Sequence, residues 1–64
     1  MEPSVREILF EMIYDGPYVR VSAIDPRTNT EVQMVGDARL SVDSLKAAAA
    51  RKLEYVLRRD GKLR

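Results

Sequence analysis

The chain contains no cysteine and no histidine. Without cysteine there is no disulfide to hold a small fold, and a structural zinc site, built almost always from Cys and His, has no ligands. The usual nucleophile–base pairs of hydrolases and transferases are missing for the same reason. Long apolar runs are also missing. Outside the C-terminal third no unbroken apolar stretch exceeds three residues, far short of the ~20 that cross a bilayer. No leader is visible: residues 1–14 carry Glu2, Glu7 and Glu11 where a secretory signal would place basic residues and an apolar core. Glycine is scarce, with residues 16, 36 and 61 each at an expected element boundary, so no glycine-rich phosphate loop can be assembled. Calcium-loop spacing is absent as well.

What remains is a folded composition. Hydrophobic residues make up 45% and charged residues 33% of the 64 positions, which argues against disorder. A chain of this length makes one domain, residues 1–64, whose single core supplies only ~3–5 kcal/mol net. With disulfides and metals excluded, good packing or a partner subunit must supply the rest. Lack of cysteine fits a cytoplasmic address.

Alternation of period two marks three strands, at about 6–14, 18–25 and 30–36. Asp15-Gly16-Pro17 breaks the first two apart. Because Pro17 has no N–H to close a two-residue Asp-Gly turn, a four-residue loop from Tyr14 to Pro17 is expected. It would set Ile13 opposite Tyr18, Met12 opposite Val19, Glu11 opposite Arg20 and Phe10 opposite Val21. Asp25 to Thr30 is the second turn: Pro26 pre-sets φ, the Asp25 carboxylate caps, and Asn29 accepts a left-handed conformation. A loop from Pro26 to Asn29 pairs Ala23 with Val32 and Val21 with Met34. One face of the sheet then carries Ile8, Phe10, Met12, Val19, Val21, Ala23, Val32 and Met34.

The last third reads as a helix over about 42–60. Ser41 is the expected N-cap, Asp43 suits the first turn, Arg58 and Arg59 the last, and Gly61 the stop. Leu45, Ala49, Leu53 and Val56, flanked by Ala48 and Leu57, form one apolar stripe. A three-stranded sheet needs a cover, and this helix supplies it. The expected fold is therefore α+β: a three-stranded antiparallel meander packed on one C-terminal helix (β-β-β-α). The Ala47–Ala50 run fits either a helix–helix contact or a helix lying low on its sheet, and the second is favoured.

Charge is unevenly shared. Residues 1–40 hold four Arg against seven Asp and Glu, while residues 41–64 hold seven Lys and Arg against three acids. Arg51, Lys52, Arg58, Arg59, Lys62 and Arg64 are thus candidate phosphate contacts for an accessory nucleic-acid binder. That reading is disfavoured by Glu54 and Asp60 in the same stretch and by the dipole role of Arg58 and Arg59. Three-stranded sheets followed by a helix also read DNA through the sheet, but that face here carries Glu7, Glu11 and Glu31 against Arg20, and repulsion disfavours it. No catalytic residue, cofactor or metal site is expected. Glu7 and Glu11 share a face, but an Arg20 partner for Glu11 explains them, so an enzyme is not expected. The more suggestive surface is the sheet face away from the helix, where Leu9, Ile13, Tyr18, Ile24 and Val35 form a candidate protein interface. With two open edge strands, it implies a homodimer or an unidentified protein partner; the short apolar runs imply no membrane.

The run Val21-Ser22-Ala23-Ile24-Asp25-Pro26, then Thr28, Thr30-Glu31-Val32 and Val35-Gly36, followed by Arg51-Lys52-Leu53-Glu54-Tyr55-Val56-Leu57, resembles a family of short uncharacterised bacterial proteins. The resemblance covers roughly residues 7–58. Asn29 stands where that family is expected to have Gly, a change between two residues that tolerate left-handed turns. The resemblance implies a bacterial cytoplasmic origin and this element order, and no activity.

Overall fold

A computed structural model of the chain describes residues 7–62. The loose start expected at residues 1–4, a strand beginning at residue 6, and Arg64 lie outside the described residues. The elements follow in the order β1 (Leu9–Asp15), β2 (Tyr18–Asp25), β3 (Thr30–Asp37) and α1 (Val42–Arg59). The strands pair antiparallel in the order β1-β2-β3. This is the α+β meander under one helix that the periodicities predict.

The first hairpin differs from expectation. Asp15 faces Tyr18, so Gly16 and Pro17 alone make the connection. Gly16 has φ 60, the positive φ that a primed two-residue turn requires at its first central position. Pro17 fits the second position, because the donors that close such a turn belong to the flanking residues and not to the proline. The register is therefore two residues away from the expected one: Met12 faces Val21, Ile13 faces Arg20 and Glu11 faces Ser22. A shift of two keeps every side chain on its face. It does remove the direct Glu11–Arg20 pair, separates Ile13 from Tyr18, and draws Tyr14 out of the loop into the strand opposite Val19.

The second hairpin follows expectation, with Asp25 facing Thr30, Ala23 facing Val32 and Val21 facing Met34. Asn29 holds φ 57. Asp25, fully buried, organises the turn: its carboxylate accepts the Arg27 N–H at 3.2 Å and the Thr28 hydroxyl at 2.9 Å. The Thr28 hydroxyl in turn lies 2.8 Å from that of Thr30.

Ser41 caps α1, its hydroxyl accepting the Ser44 N–H at 3.0 Å. At the other end Gly61, with φ 71, lets the Lys62 N–H reach the Leu57 carbonyl at 2.7 Å and its own N–H reach Arg58 at 3.2 Å. Those two bonds make a Schellman cap. The Lys62 carbonyl then accepts Nη2 of Arg27 at 2.9 Å, tying the helix end to the second turn.

The core consists of Val19, Val21, Ala23 and Val32 from the sheet and Leu45, Ala49, Leu53 and Leu57 from α1. Burial follows the strict four-residue spacing, so Leu57 is buried where Val56 was expected and Val56 is only half-buried. Gly36 lies inside β3 instead of ending it. A Cβ there would stand 2.6 Å from Cδ2 of Leu45, so the bare backbone is the seat for that leucine. Accordingly, Gly36→Ala should lower stability by ~1–3 kcal/mol through overpacking, read as a lower urea midpoint with unchanged slope. A midpoint equal to the parent's would show that Leu45 moves aside at no cost.

Candidate protein interface

Covering is unequal along the sheet. α1 packs mainly on β2 and β3. Five residues of β2 (Val19, Val21, Ser22, Ala23 and Asp25) are buried, whereas no residue of β1 is. On the helix side of β1, Ile8, Phe10 and Met12 pack against the edge of the core, half-buried, and Tyr14 is 52% exposed. The ammonium of Lys46 reaches over this strip, 5.4 Å from the Phe10 ring centroid, a cation–π distance.

The turn fixes which backbone groups of β1 are unpaired. In a two-residue hairpin the flanking pair, here Asp15 and Tyr18, exchanges both ladder bonds, and alternate pairs follow suit. Ile13, Glu11 and Leu9 therefore bond to β2, while Phe10, Met12 and Tyr14 turn N–H and C=O outward along the open edge. The same alternation directs the Gln33 carbonyl away from β2 on the far side of the sheet. There it accepts Nζ of Lys52 at 2.6 Å. A lysine of the helix thus occupies the edge of β3.

On the face away from α1 the five candidate residues are all present: Leu9 45%, Ile13 47%, Tyr18 61% and Val35 68% exposed, with Ile24 half-buried. The register sorts them into rows across the sheet. Leu9 and Ile24 sit beside Glu31; Glu11, Ser22 and Gln33 form a polar row; Ile13 and Val35 flank Arg20; Tyr18 lies between Asp15 and Asp37. The apolar positions are two clusters separated by a polar row.

The basic residues are less concentrated than their sequence spacing suggests. Lys52 is engaged with Gln33. Arg59 pairs with Asp60 at 3.1 Å and lies 5.9 Å from the Tyr55 ring centroid. Arg51, Arg58 and Lys62 are exposed. Sequence reasoning counted Phe10 and Met12 as closed core and Tyr14 as loop, and so missed the strip along β1. The signal was there in the mismatch between three strands and one helix.

At the β3 end, Pro17, Tyr18, Val35, Gly36, Asp37 and Arg39 line a shallow depression of about 570 Å³. Its polar rim is already satisfied. The Asp37 carboxylate accepts the Arg39 backbone N–H at 2.8 Å, Nε at 3.1 and 3.2 Å, and Nη2 at 2.8 Å. Chiefly the guanidinium, and then the backbone N–H, hold the Asp37 carboxyl below its ordinary value, and the same contact raises Arg39. Among the described residues no three acidic side chains gather where they could hold a metal ion.

A three-stranded meander under a single helix, with apolar side chains left at one strand and on the outer face, defines a small α+β protein of β-β-β-α order. The chain belongs to the family described as Domain of unknown function (DUF6898), whose model matches residues 5–60. Comparison with curated proteins and with solved structures finds no match. No helix among the described residues is long and apolar enough to cross a membrane.

The Asp37–Arg39 clip has a pH signature. A carboxyl depressed in the fold keeps its contribution above the unfolded value and loses it as pH falls through the lower, folded value. Carboxyl-carbon NMR should find Asp37 titrating below the usual aspartate range, and Arg39→Ala should return it upward. Identical titrations in both proteins would show that the clip does not persist in solution.

Proposed function

We propose that this chain is a small non-catalytic protein-interaction module that works through its sheet. The observation that carries this reading is the contrast between β2, with five buried residues, and β1, with none. A strand rich in large apolar residues, left half-covered on one face and, among the described residues, unpaired along one edge, is the arrangement that a docking partner completes. Ile13, Tyr18 and Val35 on the outer face extend the surface around that strand. The helix is a poorer surface, since its apolar stripe is consumed by the core and two of its cations are held by Gln33 and Asp60. Absence of His and Cys and the already paired rim of the depression between Pro17 and Arg39 support the non-catalytic half. The setting is a bacterial cytoplasm, as the resemblance implies.

Photo-cross-linking in the native cells tests this. p-Benzoylphenylalanine is placed at Tyr14 or Ile13 on the sheet, and separately at Arg51 on the exposed helix face. Discrete protein adducts from the sheet positions, and none from Arg51, are the expected result. Nucleic-acid adducts from Arg51 with no protein adduct from the sheet would replace this reading with an accessory nucleic-acid role.

A further inference from the structure

We infer that β1 pairs antiparallel with β1 of a second copy of this chain, about a twofold axis at Met12, making a continuous six-stranded sheet. This deepens the interaction-module reading and rests on it. The edges decide which strand is available. On β3 the outward carbonyl of Gln33 is taken by Lys52 at 2.6 Å, which places an ammonium in the path of an incoming strand. β1 is less guarded: between Leu9 and Asp15 there is no lysine, arginine or proline, its only charges being Glu11 and Asp15, and charge and proline are what blunt edges. The Lys46 ammonium lies over the Phe10 ring, 5.4 Å from its centroid, not on a carbonyl of that edge.

Charge and length then decide the register. A pairing of β1 with itself must keep faces matched, so it centres on a residue, and Phe10, Glu11, Met12 and Ile13 are the choices near the middle of the strand. Centring on Ile13 sets Glu11 against Asp15, like charges. Centring on Glu11 sets Glu11 against its own copy and Glu7 against Asp15 on both sides of the axis, three like-charge contacts. Centring on Phe10 sets Ile13 against Glu7 and leaves Tyr14 and Asp15 beyond the described strand. Met12 is the midpoint of Leu9–Asp15, so only that centre overlaps the whole strand. It pairs Phe10 with Tyr14 of the second copy, Met12 with Met12, Glu11 with Ile13 and Leu9 with Asp15, with no like charges opposed. Each Ile13 already sits beside Arg20 within its own sheet. The second copy's Glu11 therefore enters Arg20's row just beyond Ile13, and the twofold repeats the match. A net charge of only +1 per chain offers little opposition to association.

The backbone agrees. Phe10, Met12 and Tyr14 are the residues whose N–H and C=O point outward, and they are the ones this register brings into bonded pairs, about six hydrogen bonds in all. Their side chains share the helix face, so both helices end on one side of the sheet and the two bare strips adjoin between them. With strands spaced ~4.8 Å, helices seated over β2 and β3 stand ~19 Å apart. Allowing for a helix diameter of ~10 Å, the gap is about one layer of aromatic side chains, which the Phe10–Tyr14 pairs supply.

Sedimentation equilibrium of the purified full chain, with amide exchange read at two concentrations, tests the pairing. A single strand–strand contact is a small interface and small interfaces are weak, so the mass should rise from 7.3 kDa toward twice that between about 10 and 500 µM. Over the same range the amides of Phe10, Met12 and Tyr14 should slow at least tenfold while those of β3's open edge do not change. Met12→Pro, which removes an outward donor and none facing β2, should hold the chain at monomer mass with the fold's circular dichroism retained. Val35→Lys, on the outer face, should leave the dimer intact. A dimer abolished by Val35→Lys, or one whose Phe10, Met12 and Tyr14 amides stay fast, overturns β1 pairing in favour of face-to-face packing. A chain monomeric throughout overturns it too, and if Tyr14 still cross-links to another protein in cells, the interaction reading survives and only the second copy is wrong.

Discussion

One helix must cover three strands, and it is too narrow to do so. An α-helix with its side chains is ~10–12 Å across, and three strands at ~4.8 Å spacing present a layer of about 14 Å. Where the helix settles is therefore decided by which pair of strands lets it come closest. Gly36 on β3 makes room for Leu45, and Ala23 on β2 and Ala49 on α1 are the small residues of the core. β1 offers Phe10, Met12 and Tyr14 instead. The helix takes the low seat over β2 and β3, and the bulky strand is left at the margin.

Having chosen that seat, the chain fixes it at both ends with polar groups. The Pro17 carbonyl of the first turn accepts the Ala38 N–H at 2.9 Å, so the connection into α1 is tied to the hairpin that precedes it. At the opposite end Arg27 holds the Lys62 carbonyl, and the buried Asp25 stiffens the turn from which Arg27 reaches. Along the side, Lys52 spans from α1 to Gln33. Several of the cations and acids that give the sequence its charge asymmetry are thus employed in holding one helix on two strands. Surface ion pairs and hydrogen bonds of this kind are individually modest, and their value here is in restricting where the helix can slide.

Much of this could be read from the residues, and the failures have definite causes. The helix, its Ser41 cap and its Gly61 stop follow from local chemistry, and so does the second hairpin, where Asp25, Pro26 and Asn29 each do what their side chains dictate. The first hairpin was misjudged because Pro17 was placed where its missing N–H would matter. One residue along, at the second central position, it does not. The faces survived the error because the slip was even, yet the cross-strand partners of Glu11, Ile13 and Tyr18 all changed, and with them the shape of the outer patch. The seat of the helix was not legible at all from periodicity. An apolar stripe says which side of a helix is buried, not which two of three strands it lies on; that depends on side-chain volumes at Gly36 and Ala23 that alternate no differently from their neighbours.

The two edges of this sheet are not equivalent, and the difference bears on why β1 carries the residues it does. An edge strand selected only to be inert would be short, charged, kinked or interrupted by proline. β3 meets that requirement through Lys52 and ends in the Asp37–Arg39 clip. β1 instead alternates Phe10, Met12 and Tyr14 toward the helix side with Leu9 and Ile13 outward, so neither face is polar throughout. Joining two such strands leaves the ratio of helices to strands unchanged, but it changes where the shortfall lies. In one copy the strip, half-buried at Phe10 and Met12 and exposed at Tyr14, borders water along its outer margin. Between two copies it becomes the floor of a channel walled by two helices, where aromatic side chains from both strands can cover one another. Duplicating the chain meets the need that the narrowness of its one helix creates, without a further element in either copy.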